Sequence, residues 1–245
     1  MNSTIETILN HRSIRSFEET KLEDDTIQTL VESAQQASTS SYMMAYSIIG
    51  ITDEEKKQQL QDVSGHPHVT NNSHLFIMCA DYRRLTYDAD EKTKENMEKN
   101  LENSEHLMTA TIDAALAAQN IAIAAESMGL GMCYLGSLRN DIQKVDEILN
   151  LPDHVAPLFG IAIGVPAETP EKKPRLPFET VYFENEYKDH EEEIRKFNNQ
   201  ISDYYASRSS NQRQDTWTLQ MQRRFQNPIR MDVTDYLKDK GFNRR

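Results

Sequence analysis

The stretch TATIDAALAAQNIAIAAESMG, residues 109–129, contains eight alanines between Ala110 and Ala125, mixed with isoleucine and leucine. Alanine has the highest helix propensity, and its small side chain lets a second element approach closely. Gly129 can adopt the left-handed conformation that commonly ends a helix. The stretch therefore predicts a long core helix. The same pattern suits a helix in a monomer core or at a dimer seam.

Strand-like segments flank this helix in the sequence. Two are apolar or β-branched runs, YSIIGI at 46–51 and HLFIMCAD at 74–81, and two more are GLGMCYLG at 129–136 and PLFGIAIGVP at 157–166. Few strands alternating irregularly with helices predict an α+β fold, with three to five strands flanked by helices. We expect one domain over residues 1–245. A Rossmann domain is not expected, because GLGMCYLG lacks the GxGxxG spacing.

Local signals place the ends of several helices. Ser3 stands three residues before Glu6, which predicts a capping box, and Asp53 is placed to cap the helix that follows it. The sequence EDDTIQTLVESAQQAS spaces its apolar residues along one helical face. Residues 90–128 form the longest helical stretch and predict two helices.

The net charge of −12 argues against general binding of nucleic acid or an anionic membrane, because a polyphosphate backbone is repelled on average. The charge is uneven, since residues 208–245 contain nine Lys/Arg against four Asp/Glu. Both cysteines, Cys79 and Cys133, stand among apolar residues and predict buried inert thiols. With no signal-like start and no apolar run of about 18 to 20 residues, we expect a cytoplasmic protein.

Three distant segments combine basic residues with hydroxyl groups: HRSIR at 11–15, STSS at 38–41 and KKPRLP at 172–177. Guanidinium forks and hydroxyl donors hold a phosphate dianion well, so their convergence would make a phosphate site without a P-loop. Each segment alone is more often an exposed loop. The sequence shows no nucleophile triad, metal-ligand spacing or paired carboxylates, so we predict no catalytic side chain and no metal site.

Taken together, HRSIRSF, TSSY, HLFIMCAD, AAESMGLG, YLGSLRN, KPRLP and SRSSNQRQDTW resemble the nitroreductase-like flavoenzymes. Within them, the chain is similar to the NADPH-dependent oxygen-insensitive nitroreductases and flavin reductases, over nearly its whole length. The resemblance implies a mixed, mainly antiparallel sheet flanked by helices. It also implies an FMN-binding homodimer, in which residues 185–245 form an extension that wraps the partner and contributes to NADPH binding.

The resemblance also implies which residues bind FMN. Arg15 would face the pyrimidine edge of the flavin, where a fixed cation stabilises the negative charge that reduction produces. The absence of a side chain at Gly136 would let its amide approach flavin N5 closely. The phosphate end of FMN would be held by His11, Arg12, Ser13, Lys173 and Arg175. The ribityl chain and ring edge would contact Thr39, Ser40 and Ser41. The ring face would be covered by Tyr134, Leu135, Gly136 and Ser137.

The same resemblance suggests that Arg208 and Arg213, with Arg230, bind the 2′-phosphate of NADPH. A surface cluster without a ligand is the alternative, and Trp217 beside it is expected to be a packing anchor. Close relatives often have a glutamine near residue 67 that contacts the flavin edge. This chain reads SGHPHV there and is one residue shorter, so His66 is the nearest substitute. We expect the His-Pro-His loop to be solvated.

The implied activity is a ping-pong reaction in which NADPH reduces the flavin and a planar acceptor then reoxidises it. Nitroaromatics, quinones and free flavin are the expected acceptors. The alternatives within enzymes are a dedicated FMN reductase and an NADPH oxidase. A non-catalytic FMN store or sensor is the alternative from another class, and a nucleic-acid role for the basic C-terminal part is disfavoured by the net charge.

Overall fold

The computed structural model describes residues 1–208 and 212–245. Its sheet contains β1 (Tyr46–Ile51), β2 (His74–Asp81), β3 (Gly131–Leu135) and β4 (Val155–Gly164) in the order β1-β2-β4-β3. All three strand pairs are antiparallel, and one parallel bridge joins Ser13 to Met132 at the sheet edge. The predicted α+β class and the mixed, mainly antiparallel sheet are therefore confirmed.

Helices cover both faces of this sheet. Side chains alternate along a strand, so Phe76 and Met78 face one layer while Leu75 and Ile77 face the other. The helices are α1 (Ser3–Leu9), α2 (Asp24–Gln35), α3 (Glu54–Ser64), α4 (Glu91–Leu101), α5 (Ser104–Ser127), α6 (Ile142–Leu149), α7 (Glu191–Ser207), α8 (Trp217–Gln226) and α9 (Val233–Asp239). The core with Phe76 includes α2 and α5, and the core with Leu75 includes α3 and α6.

The predicted core helix is α5, which is 24 residues long. By length and composition alone it could cross a bilayer, but one of its faces, including Ala114, Ala118 and Ile121, is buried in the protein core. Its opposite face exposes Met108, Ile112 and Leu116 at 57%, 53% and 45%. The alanines therefore serve close packing, while Met108, Ile112 and Leu116 are left at the surface.

One helix cap differs from the prediction. The first helix begins after Asn2, whose side-chain oxygen accepts a hydrogen bond from the Ile5 N–H at 3.0 Å, so the Ser3 capping box is wrong by one residue. Asparagine and serine are about equally good N-caps, and the spacing to Glu6 favoured the wrong one. The Asp53 cap is confirmed, because its carboxylate accepts from the Lys56 N–H at 2.9 Å.

The chain divides into two compact units. The first unit comprises 1–170 and 230–245 and contains the sheet, and the second comprises 171–229 and contains α7 and α8. In the second unit, Phe197, Ile201 and Tyr205 of α7 form a small core against which Trp217 packs. Trp217 meets Phe197 edge to face at 6.2 Å, as expected for a packing anchor.

Candidate functional site

The HRSIR segment runs beside the edge strand of the sheet. Ser13 pairs with Met132 of β3, and the Ile14 N–H donates to the Met132 carbonyl at 2.9 Å. A Cβ added at Gly131 would lie 2.6 Å from Cγ1 of Ile14, so only glycine lets the segment approach this closely. The pairing holds Ser13 and Ile14 against the edge strand.

Two basic side chains of this segment differ in how they are held. His11 Nδ1 lies 2.6 Å from Oε1 of Glu126, a contact that orients the ring. The Nε atom of Arg12 is buried and has no hydrogen-bond partner within the described parts of the chain. A buried guanidinium N–H without an acceptor is costly, and an anionic oxygen would satisfy it. The segment therefore suits a phosphate group. Arg15 is exposed, with Nη1 3.4 Å from the Ser13 carbonyl.

The hydroxyl-bearing loop is held by a carboxylate that our sequence analysis missed. Asp113 is fully buried, and its two oxygens accept from the Ser40 N–H at 2.9 Å and the Ala45 N–H at 3.1 Å. Between these points Ser41, Tyr42 and Met44 have φ values of 49°, 59° and 48°. Non-glycine residues adopt this region at a cost, so Asp113 compensates for local strain. The sequence signal was an acid flanked by the apolar residues of the core helix.

The YLGS segment carries the end of β3 into a 3-10 turn. Tyr134 is 39% exposed and donates to Oε1 of Gln119 at 3.3 Å, and burial of its hydroxyl, with the Glu126 carboxylate, raises the pKa of Tyr134 to about 12. Leu135 turns its side chain into the core, so its backbone is the part left to meet a ligand. The Ser137 hydroxyl lies 2.6 Å from that of Ser64.

All three of these segments contact α5. Asp113 holds the loop at residues 40–45, Gln119 accepts from Tyr134, and Glu126 holds His11. At 1.5 Å per residue, Asp113 and Glu126 stand about 20 Å apart along the helix. In the first unit, three of the predicted FMN segments therefore contact a single helix at different heights, with the hydroxyl loop and HRSIR far apart along it.

The other predicted FMN and NADPH residues lie mainly in the second unit. Lys173 and Arg175 are exposed and line a cavity of about 750 Å³, together with aromatic side chains. The Arg208 guanidinium lies 5.7 Å from the Tyr204 ring centre, and that of Arg213 lies 4.0 Å from the ring centre of Tyr205. Arg213 also donates to Gln220 at 2.6 Å. Stacking on tyrosine presents each guanidinium as a fixed plane.

Arg230 belongs to the first unit instead. It has a positive φ of 56°, and its Nε and Nη2 atoms donate to Oδ1 of Asn140 at 3.0 and 2.9 Å. Residues 209–211 of the SRSSNQRQDTW stretch lie outside the described residues. A joint role of Arg230 with Arg208 and Arg213 stays a prediction.

The SGHPHV loop, residues 64–69, is only partly exposed to solvent, whereas we predicted that its histidines are solvated. His66 is exposed and stacks on His68 at a ring distance of 5.3 Å, as a surface loop tip would. His68, however, is 8% exposed, so the prediction that the whole His-Pro-His loop is solvated is wrong. Burial, with the nearby His66 and Arg15 charges, lowers the pKa of His68 to about 4. His68 is therefore a neutral packing residue at pH 7.

Comparison with known proteins identifies the protein family. The model of the nitroreductase family matches residues 8–165, and that of the nitroreductase family C-terminal domain matches residues 173–245. The chain therefore belongs to the nitroreductase family.

Individual relatives match over the full length. The chain is 52% identical to a Bacillus subtilis protein named FMN reductase (NADPH), covering 100% of both chains. It is 46% identical to a Staphylococcus saprophyticus NADPH-dependent oxidoreductase, over 95% of each. The solved structure of B. megaterium NfrA1 is 51% identical and covers 99% of this chain and 100% of its own, with a TM-score of 0.95.

Proposed function

We propose that the protein is an FMN-dependent oxidoreductase that passes electrons from NADPH to small planar acceptors in the cytoplasm. Nitroaromatics, quinones and free flavin are the proposed acceptors. The observation that carries the proposal is the Nε of Arg12, which is buried without a hydrogen-bond partner among the described residues, in a chain that matches the nitroreductase family over residues 8–165 and 173–245. Relatives named FMN reductase and NADPH-dependent oxidoreductase support the choice of cofactor and donor.

The proposed roles of the site residues follow from their contacts. Arg12 donates to the phosphate, and His11 is oriented for the same task by Glu126. Lys173 and Arg175 are proposed as further phosphate ligands on the strength of the family resemblance. FMN held there would supply two-electron hydride chemistry at N5, between NADPH and the acceptor, in a ping-pong sequence. Arg15 would offer a cation to the pyrimidine edge, and the Gly136 backbone would be the part of the chain nearest N5.

We further propose that the working form is a homodimer. Met108, Ile112 and Leu116 form an exposed stripe on α5, and α1, which also contacts α5, exposes Ile8 and Leu9 at 42% and 53%. Neighbouring exposed apolar side chains of this kind mark interaction surfaces. The roughly 20 Å between the hydroxyl loop and HRSIR along α5 suggests that Thr39, Ser40 and Ser41 of one protomer serve the FMN of the other.

Ile112→Glu is expected to weaken the dimer by at least about tenfold, because it buries an unpaired charge in an apolar seam. Equilibrium sedimentation over a range of protein concentrations measures the change. Leu85→Glu is the matched control, because Leu85 is similarly exposed at 42% but lies in the turn Arg83–Thr86 and not on the α5 stripe. A wild-type protein that sediments as a monomer while retaining its full flavin content would contradict the dimer.

Arg208 and Arg213 are proposed to clamp the 2′-phosphate of NADPH, as two stacked guanidinium planes. Changing both to alanine should raise the KM for NADPH about 30-fold and that for NADH less than about twofold, because NADH lacks the phosphate. Steady-state kinetics with both donors measure this. Arg195→Ala is the control, since Arg195 pairs with Glu191 on the surface of α7. Equal effects on NADPH and NADH would refute the assignment.

The visible spectrum of the purified protein under anaerobic conditions tests the proposed function. A flavin band should bleach on adding stoichiometric NADPH and return on adding a nitroaromatic or a quinone. If oxygen alone restores the flavin band, the protein is an NADPH oxidase. If the protein releases free reduced FMN, it is a dedicated flavin reductase. A flavin band that NADPH fails to bleach would point to a non-catalytic FMN store or sensor and overturn the proposal.

A further inference from the structure

A cavity of about 520 Å³ lies in the first unit, between the segment that follows HRSIR, the end of β1, the start of α3 and the start of β2. None of the residues that we predict to bind FMN or NADPH lines it. Its volume is within the range of small-molecule sites in proteins. It therefore needs an account separate from that of the flavin site.

Three residues of its lining each carry a buried polar atom without a hydrogen-bond partner in the described parts of the chain. Oδ1 of Asn72, Oγ of Ser73 and Nε2 of His74 are all buried with no hydrogen-bond partner among residues 1–208 and 212–245. Ser73 and His74 are 9% and 5% exposed. The Asn72 amide is fixed in this orientation, because its nitrogen donates to the carbonyls of His68 and Val69 at 3.0 and 2.8 Å. Native proteins rarely leave three such atoms side by side in sequence unsatisfied.

A buried cation lines the same cavity. Lys57 of α3 is 5% exposed, and its Nζ reaches Oε1 of Glu54 only at 4.0 Å. The Glu54 side chain is 75% exposed, so it is a poor counterion. Burial lowers the pKa of Lys57. An ammonium group withdrawn from water in this way gains from an anion that enters the cavity.

The charges of the lining are also separated, because the cation of Lys57 is buried while the acidic side chains are exposed. Glu18, Glu19 and Asp24 are exposed and lie at the rim with Glu54, where Lys21 is the exposed basic residue. A simple anion would meet this acidic rim, and a simple cation would meet Lys57. A molecule that carries both charges at opposite ends satisfies both regions.

We propose that this cavity binds a small zwitterion of the amino-acid class, with its carboxylate directed to Lys57 and Ser73 and its ammonium group at the acidic rim. Between the two ends, Phe17, Leu22 and Ile27 supply apolar wall. The ligand therefore has an aliphatic body between its charges. The site is independent of the proposed flavin chemistry.

Isothermal titration calorimetry of the FMN-loaded full chain tests the proposal with three probes that share a six-carbon chain and differ in their charged ends. The probe 6-aminohexanoate carries both charges, hexanoate lacks the ammonium group and hexylamine lacks the carboxylate. We expect saturable binding of 6-aminohexanoate, binding of hexanoate about tenfold weaker, and binding of hexylamine weaker still. Hexylamine binding as tightly as 6-aminohexanoate would overturn the proposed orientation. No saturable heat from 6-aminohexanoate or hexanoate would mean that the cavity holds water alone.

Lys57→Met removes the charge while keeping an unbranched apolar side chain, and it should weaken 6-aminohexanoate binding at least about tenfold. Lys94→Met is the matched control, because Lys94 pairs with Glu91 on the surface of α4 and should leave binding unchanged. Ser73→Ala, a smaller change, should weaken binding severalfold if Lys57→Met fails to fold. Full retention of FMN absorbance checks that each variant is folded. Undiminished binding in both Lys57→Met and Ser73→Ala would refute the site.

Discussion

Arg12→Ala should lose FMN on desalting, with an affinity about 100-fold weaker than that of the wild type. The physical reason is that the Nε of Arg12 is buried without a partner in residues 1–208 and 212–245, so a phosphate oxygen there would make a charge-assisted hydrogen bond that water does not replace. Truncating one partner of such a pair costs about 2 to 5 kcal/mol, which corresponds to a factor of this size. Fluorescence titration of the apoprotein with FMN measures it.

Two further variants give the Arg12 experiment its controls. Arg12→Lys keeps the charge but loses the planar fork, so its FMN affinity should lie between those of the wild type and Arg12→Ala. Arg195→Ala removes an exposed arginine on α7 and should retain FMN fully. Retention of flavin by Arg12→Ala after desalting would show that the phosphate is held elsewhere.

Asp113→Ala should lower the free energy of unfolding by about 3 kcal/mol. The substitution removes the acceptor of the part-buried Ser40 N–H and of the buried Ala45 N–H, and an unsatisfied buried donor costs about 1 to 3 kcal/mol. It also removes the clamp on a loop with three positive φ angles. Urea denaturation followed by circular dichroism measures the stability, and FMN titration should show a weaker affinity because the hydroxyl loop is released.

Asp113→Asn provides the graded comparison, since its single amide oxygen can accept from one of the two N–H groups and its stability should be intermediate. Asp62→Ala is the surface control, because Asp62 accepts one hydrogen bond from the exposed Gln58 side chain. Its unfolding free energy should change by less than about 0.5 kcal/mol. Equal stability of Asp113→Ala and the wild type would mean that water replaces the carboxylate.

The fold was predictable wherever one local signal dominated. The strand at 74–81 has the bounds predicted from its unbroken apolar run, because all eight of its residues are buried between two helical layers. The predicted break within residues 90–128 is also present, between α4 and α5. The error at Ser3 arose because neighbouring residues offered competing caps of similar strength.

For the proposed site, the sequence indicates only a set of separate segments. The contacts that hold those segments join residues far apart in the chain, such as Ser40 with Asp113 and His11 with Glu126, and single-sequence patterns do not report such pairs. The buried state of His68 was missed for the same reason, since a His-Pro-His sequence has no periodicity that reveals its environment.

The contact of three proposed FMN-binding segments with α5 has a consequence for how the protein can change during evolution. A substitution that rotates or shifts this helix displaces the contacts of Asp113, Gln119 and Glu126 at once. Its effects on the separate segments are coupled, so mutations on this helix should show strong epistasis. Laboratory selection for new acceptors should therefore accumulate changes in surface loops and preserve these three polar positions.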